Sequence, residues 1–520
     1  MRFVQSLVAL QLPAQQTPVP DSVITPPVEW WHLSPIIALV SGALLLLVVG
    51  ALTPKWPRSA YAAFTMVVTV VTAVLALYQW NDIADNGPVT IVAGALAFDK
   101  FAMFLILTIC AATFLVAAIT DDELRRAGKD GPEIYALLLI AATGAVVMGM
   151  SNDLIVLFLG LETMSLALYV LAASDRGQSA SQEAGIKYFI LGGFASAFLL
   201  YGIALIYGGT GSTNITEIVG SFRGSVLIDG QDPFVLAGIA LLLVGLGFKV
   251  AAVPFHVWTP DVYQGAPSNV TAFMASVGKA GAFAAMLRVL VIALPFHRDD
   301  WRPAIWVLAV LSLVVGSALA IMQSDVKRML AYSSISHAGF ILVGVEAAGH
   351  DAGEYGDMGQ GMPSVMTYLV LYSVLTVGSF AVVTLIGRSN GGDTSLKAFR
   401  GFGKRRPAVA LALTVFLLAQ AGVPLTSGFI AKWGVIQAAV EQESYAIGII
   451  AMLAATIAAF LYLRIMVSVW IEPGGEATEQ EAVPFSTGFA IAVSAAFTLL
   501  VGIWPNWLLD AADTVNQYAR

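Results

Sequence analysis

Apolar runs of about 20 residues, the length an α-helix needs to cross the hydrocarbon core of a bilayer, recur along nearly the whole chain. Glycine, proline and charge clusters separate one run from the next. In lipid every backbone polar group must find its partner within the segment, so such runs fold as helices. The pattern predicts an all-α polytopic membrane protein with about fourteen transmembrane helices. They are expected near residues 33–52, 60–80, 98–119, 132–149, 152–173, 184–207, 233–257, 270–294, 303–322, 328–347, 364–387, 407–440, 444–470 and 485–508. Only 12% of the 520 residues are charged and 58% are hydrophobic. Soluble domains carry about 25% charged residues, so a water-soluble globule is excluded.

Two of the runs are irregular. The seventh contains Ala252-Val253-Pro254 and the twelfth Gly422-Val423-Pro424, and the twelfth is too long for one crossing. Proline removes a backbone donor and clashes with the preceding turn, so both helices should break inside the membrane. The breaks lie five helices apart, and a five-helix unit must re-enter the membrane from the opposite side. The expected organisation is therefore an N-terminal extension over 1–30, helices 1–3 over 33–119, and two inverted five-helix repeats over 132–294 and 303–470. Helix 14 follows over 485–508. Broken helices in inverted repeats point to a polar site near the midplane, as in ion-coupled transporters. The extension resembles a weak signal peptide without a clear cleavage site and is expected to be retained, with no function assigned.

Basic residues alternate between loops. One set of loops holds Lys55, Arg58, Arg125, Arg126, Lys129, Arg176, Lys327, Arg328 and the basic residues from Arg388 to Arg406. The other set holds far fewer, among them Arg2, Lys100, Arg298 and Arg520. The positive-inside rule then places both termini outside. Asp325, Lys327 and Arg328 read as a solvated face and an orientation signal.

The chemistry lies in the charges that are not in loops. Lys187, Lys249, Lys279, Arg288, Lys432, Arg464 and Glu162 fall inside apolar runs. An ionised group at the bilayer centre costs about 2.5–3.5 kcal/mol even on insertion-derived scales, so these residues mark an ion or proton path. Two unit charges 6 Å apart at an effective dielectric of about 20 interact by about 2.8 kcal/mol, about two pKa units. A Glu162–Lys249 pair that opens and closes could thus load or eject a proton, although a static buried salt bridge would use the same residues. Lys279 has no evident acidic partner. His256, just after the Pro254 break, can carry protons near neutral pH. His337 could serve a relay or a helix-packing hydrogen bond. Lys187 could snorkel to the interface. Arg288 and Arg464 lie towards helix ends, and arginine does not deprotonate usefully, so snorkelling or packing pairs are expected there.

The one cysteine, Cys110, cannot form an internal disulfide or ligate an iron–sulfur cluster. Neither GxxxxGK[ST] nor GxGxxG occurs, and the five histidines form no metal-binding pair. Nothing in the sequence suggests that it holds nucleotide, haem, metal or nucleic acid, so any redox chemistry must belong to partners.

These motifs resemble the antiporter-like membrane subunits of respiratory complex I, the proton-pumping NADH:quinone oxidoreductase. The most specific stretch runs from Phe248 to Pro267 and ends in Tyr263-Gln264-Gly265-Ala266-Pro267. Together with the run from Lys187 to Gly202, it favours the subunit N type over types L and M. The resemblance implies that Glu162 and Lys249 form a gating pair, with Lys279 the central relay. Lys432 would stand nearest the outer exit, His256 would connect the relay through water, and Lys187 would be secondary. It also implies that this chain binds no cofactor, with NADH, FMN, iron–sulfur clusters and quinone in partner subunits. The partners would be other antiporter-like and small membrane subunits of a hetero-oligomer in the bacterial plasma membrane. A subunit of a multisubunit cation/proton antiporter shares this pattern. A substrate transporter would need recognisable substrate-binding groups, and a purely structural subunit would tolerate Lys279→Ala.

Overall fold

The computed structural model describes residues 28–53, 57–128, 131–224, 233–352, 359–473 and 482–518. Most of the N-terminal extension, Lys55, Lys129, most of the acidic loop before residue 482 and Arg520 lie outside the described residues. Among the described residues, thirteen helices are long and apolar enough to cross a membrane, and the shorter apolar helix Pro407–Ala421 joins them.

In chain order the helices are α1 Ser34–Leu52, α2 Arg58–Asn86, α3 Lys100–Ala127, α4 Pro132–Met150, α5 Leu154–Ala172 and α6 Ser179–Thr210. A short α7, Ile215–Gly224, precedes α8 Pro233–Val250 and α9 Trp258–Gly265. The next span contains α10 Ser268–Phe273 and α11 Lys279–Leu287, separated by one π-helical segment, Met274–Gly278, and followed by another, Arg288–Ala293. Then come α12 Arg298–Ile321, α13 Val326–His350, α14 Gly361–Ser389, the single turn α15 Phe402–Arg405, α16 Pro407–Ala421 and α17 Ser427–Glu441. The chain closes with α18 Tyr445–Trp470, α19 Phe485–Ile503 and α20 Asn506–Asp513. A hairpin of β1 Val89–Ile91 and β2 Leu96–Phe98, which sequence periodicity did not indicate, links α2 to α3.

Both expected breaks are present. After Val250 the backbone leaves the helix at Ala251, φ +62°, and resumes at Trp258. The freed groups are satisfied locally: the Val253 N–H donates to Ser312 Oγ of α12, and the Trp258 indole to the Phe248 carbonyl. The twelfth run divides at Gly422, φ +91°, into α16 and α17. Irregular backbone at this depth is tolerated when protein buries it or it lines a wet cavity.

Two helix starts share one device. Asp153 caps α5, accepts from Thr213 Oγ1 at 2.7 Å, and is bridged by Leu154 N–H to Thr213 O and Ile215 N–H to Asn152 O. Asp325 caps α13, accepts from Thr394 Oγ1 at 2.6 Å, and is bridged by Val326 N–H to Thr394 O and Leu396 N–H to Ser324 O. In both places an aspartate satisfies the unpaired N–H groups of a helix start and ties it to the loop after the following helix. Close helix pairs occur at matching places too. A Cβ at Gly144 would meet Gly160 O of α5 at 2.5 Å, and one at Gly316 would meet Ser336 N of α13 at 2.5 Å. Small residues allow such backbone approach between membrane helices.

The α10–α11 span, α13 and α14 form the buried centre, while α1, α2, α6 and α18 present broad apolar faces outward. Arg288, 1% exposed, is a packing pair: it donates to Asp99 Oδ1 at 2.7 Å and to Gly149 O, with Phe101 beneath it. Removing one partner of a buried ion pair costs about 3–5 kcal/mol. Arg288→Met should therefore lower the thermal inactivation temperature of the assembled protein, and adding Asp99→Asn should recover part of the loss. An unchanged melting temperature for Arg288→Met would refute that role. Arg464 donates to the Ile321 and Gln323 carbonyls, closing the end of α12, so it too packs rather than snorkels.

Candidate proton-relay site

Among the buried lysines are the three expected in the relay. Lys249 is 6%, Lys279 2% and Lys432 5% exposed. Lys249 lies in the last turn of the half-helix α8, where a cation is favoured by the partial negative charge of the carbonyl end. Its ammonium donates to Ser165 Oγ at 2.7 Å and Tyr188 OH at 3.3 Å and lies over the Tyr169 and Tyr188 rings. Glu162, half-buried on α5, takes a hydrogen bond from Ser196 of α6 instead. Among the described residues no salt bridge joins Glu162 to Lys249.

Lys279 sits between the two π-helical segments. Its ammonium donates to the Ser334 carbonyl of α13 and lies 5.8 Å from the Tyr372 ring centroid. π-segments often mark functional positions in helices. From there a chain of polar groups runs across the centre. Tyr372 OH donates to Ser334 Oγ at 2.8 Å, and the Tyr372 ring lies against His337 with centroids 4.8 Å apart. His337 meets Tyr368 OH at 2.6 Å and Tyr462 OH at 3.3 Å. Tyr462 OH bonds Ser333 Oγ at 2.6 Å, and Ser333 donates to Gln420 Oε1 at 3.3 Å. Lys432 then donates to the Gln420 and Ala421 carbonyls at 2.8 and 3.1 Å. This ammonium on α17 thereby caps the carbonyl end of the other half-helix, α16.

Sequence reasoning missed most of this chain. Tyr188, Tyr368, Tyr372, Tyr462, Ser333 and Gln420 read as ordinary members of apolar helices. The available signal was their repeated hydroxyls and amide at depths shared with the lysines.

Other expected residues lie elsewhere. His256 is half-buried on the outward-facing break beside the exposed Val257, with its Nδ1 buried and unpaired. No hydrogen bond among the described residues brings its ring into the chain of polar groups. Lys187, 41% exposed, pairs with Glu183 at 2.7 Å and Asp261 at 2.8 Å, and Asp261 also binds Arg328 at 2.6 Å. This cluster lies at the end of the bundle that carries Arg125, Arg126 and Arg388. The reading of Lys327 as a solvated face is corrected: it is 5% exposed and donates to the Ala266 carbonyl. Asp325 caps its helix and Arg328 holds Asp261, so neither is merely solvated. At this basic end a cavity of about 740 Å³ is lined by Glu123, Asp175 and Asn269, and by Tyr169, the ring beneath Lys249. Among the described residues no group of three or more His, Cys, Asp or Glu side chains could hold a metal ion.

A family model described as NADH:quinone oxidoreductase/Mrp antiporter, TM, matches residues 151–458, which include all three lysines and His337. That description covers two kinds of complex. A protein of Streptomyces griseus named NADH-quinone oxidoreductase subunit N 3 is 41% identical, with 96% of each chain covered. The chain belongs to the NADH-quinone oxidoreductase subunit N family. A solved chain of respiratory complex I from Thermus thermophilus with bound aureothin is 31% identical to this family member, with a TM-score of 0.76, and covers 92% of this chain and 100% of its own. The Mrp complex of Dietzia sp. DQ12-45-1b contains a chain 21% identical with a TM-score of 0.80, covering 94% and 97%, which is a likeness of fold alone. The chain thus shares its helical scaffold with a chain of an Mrp complex.

Proposed function

We propose that this chain is the antiporter-like, proton-translocating membrane subunit of a hetero-oligomeric NADH:quinone oxidoreductase in the bacterial plasma membrane. NADH, FMN, the iron–sulfur clusters and quinone are held by its partner subunits. Both termini face the outer side, and the basic end faces the cytoplasm. Helices 4–8 and 9–13 are inverted repeats, a reading supported by the two broken helices and the duplicated Asp153 and Asp325 caps.

The observation that carries the mechanism is the buried run of polar groups from Lys279 through His337 to Lys432. Burial destabilises an ammonium ion, and a neighbouring charge restores or removes that stability. Protons reach Lys249 from the cavity at the basic end, which Tyr169 helps to line. With Glu162 drawn away to Ser196, Lys249 holds its proton less tightly and passes it towards Lys279. The tyrosine hydroxyls and His337 carry it on to Lys432. Moving one charge against 100 mV costs about 2.3 kcal/mol. A pair interaction of about 2.8 kcal/mol can drive one such step. Charge changes arising in the redox partners reset the Glu162–Lys249 pair.

The test is Lys249→Ala in the assembled complex. A proton-to-electron ratio below that of the unmodified complex is expected, and an unchanged ratio would rule out gating by this residue.

A further inference from the structure

The end opposite the basic loops holds a cluster that neither the relay nor the family resemblance uses. Glu346, one turn before the end of α13, is only 2% exposed. Its Oε2 is buried without a hydrogen-bond partner. Its Oε1 faces Arg302 of α12 at 3.5 Å, His350 Nε2 at 3.1 Å and Ser444 Oγ, before α18, at 3.4 Å. Arg302 also reaches His350 Nε2 at 2.6 Å and Asp299 at 3.6 Å. Arg298 donates to the His350 and Ala352 carbonyls, and Gln442 donates to Asp351, completing the charged and polar surroundings. His350 is 23% exposed, so the cluster joins a buried carboxylate to the surface.

Of the three contacts of His350 Nε2, those with Arg302 and Glu346 need opposite protonation states, while Ser444 Oγ at 3.2 Å can serve either. A bare Nε2 accepts from the Arg302 guanidinium, whereas a protonated Nε2 donates to Glu346. The helix that carries Lys432, α17, packs against α13 beside the cluster. Gly344, two residues before Glu346, packs against Ser364 of α14 and against Val435, one turn beyond Lys432 on α17. Thr367, one turn along from Ser364, carries a second buried, unpaired oxygen.

We infer that Glu346, His350 and Arg302 form the proton-release site of this chain. The inference rests on the relay reading above. The proton given up by the Lys432 ammonium reaches the Glu346 carboxylate through the groups between α13 and α17, leaving a neutral amine and a carboxylic acid. The acid passes the proton to His350 Nε2, which turns from Arg302 to Glu346 and then releases the proton to the outer solution. Arg302 stabilises the regenerated carboxylate and discourages return of the proton.

The experiment uses the whole complex in sealed vesicles, with proton release driven by NADH and quinone while the pH of the receiving compartment is varied. In the unmodified complex the rate should fall as that compartment is acidified, because a proton already on His350 Nε2 blocks the next transfer. Glu346→Gln should lower the rate at least threefold at neutral pH and flatten this dependence, and Glu346→Asp should restore both. His350→Gln should flatten it with a smaller loss, and it carries the same test if Glu346→Gln fails to assemble. An unchanged rate and profile in both Gln variants would overturn the inference. So would a loss of the same factor at every pH that Asp does not rescue. Lys432→Met separates the two readings. If it leaves pumping intact, the relay itself fails; if it stops pumping while Glu346→Gln does not, only the release site fails.

Discussion

Placing valine at Gly428 should remove nearly all of this chain from assembled complexes. Gly428 lies at the start of α17, and a Cβ there would sit 1.7 Å from the Ala419 carbonyl oxygen and 2.5 Å from its carbon. Both atoms belong to backbone of α16, which no rotamer change can move aside. Ordinary overpacking costs about 1–3 kcal/mol, and a clash with the paired half-helix exceeds that range. The half-helices would have to separate, and with them the carbonyls of Gln420 and Ala421 that hold the Lys432 ammonium. The abundance of this chain in membrane complexes, measured by quantitative immunoblotting after native electrophoresis, should fall about tenfold or more. Normal abundance would mean that the break in α16–α17 is not held as described.

Replacing Lys279 with methionine should have the opposite signature: normal assembly and little proton transfer. The side chain is almost fully enclosed and, among the described residues, its only hydrogen bond goes to a main-chain carbonyl, Ser334 O. Methionine has a similar shape and fills such a space adaptably. It also removes a buried ammonium ion with no acidic partner, so the fold should be no less stable. What is lost, on the proposed path, is the buried amine between Lys249 and the His337–Tyr462 segment. Positioned proton-transfer groups contribute about 10²–10⁴-fold to rate. Proton pumping should therefore fall at least about tenfold, while NADH oxidation by a water-soluble acceptor at the redox partners stays unchanged. Lys279→Arg should not rescue pumping, because arginine keeps its proton.

The bundle was legible in the sequence because lipid imposes one strong rule, and each apolar run corresponds to a helix or, in the twelfth, to two half-helices. Both breaks were legible because Pro254 and Pro424 cannot continue a helix. The β1–β2 hairpin was not, since Val89–Ile91 and Leu96–Phe98 are too short to show a period against their apolar surroundings. The lysines announced themselves by their cost in lipid. The tyrosines linking them did not, because a tyrosine in an apolar helix looks the same whether its hydroxyl carries protons or caps a void. Lys327 was misread because a lysine beside Asp325 and Arg328 at a helix start resembles a surface charge. Only the fold of α9 over α13 buries it. Glu346 gave no signal because a single acid near a helix end resembles a loop residue, and its partners Arg302 and Ser444 are distant in sequence.

The central claim is that the buried lysines act as one path rather than as separate packing elements. The proton-to-electron ratio of the double variant Lys249→Ala/Lys279→Met, compared with each single variant, tests it most directly. Residues that act as a unit give strongly non-additive losses. The double variant should show the same ratio as Lys279→Met alone. Losses that add from the two substitutions, or a ratio equal to that of the unmodified complex in either single variant, would contradict the account.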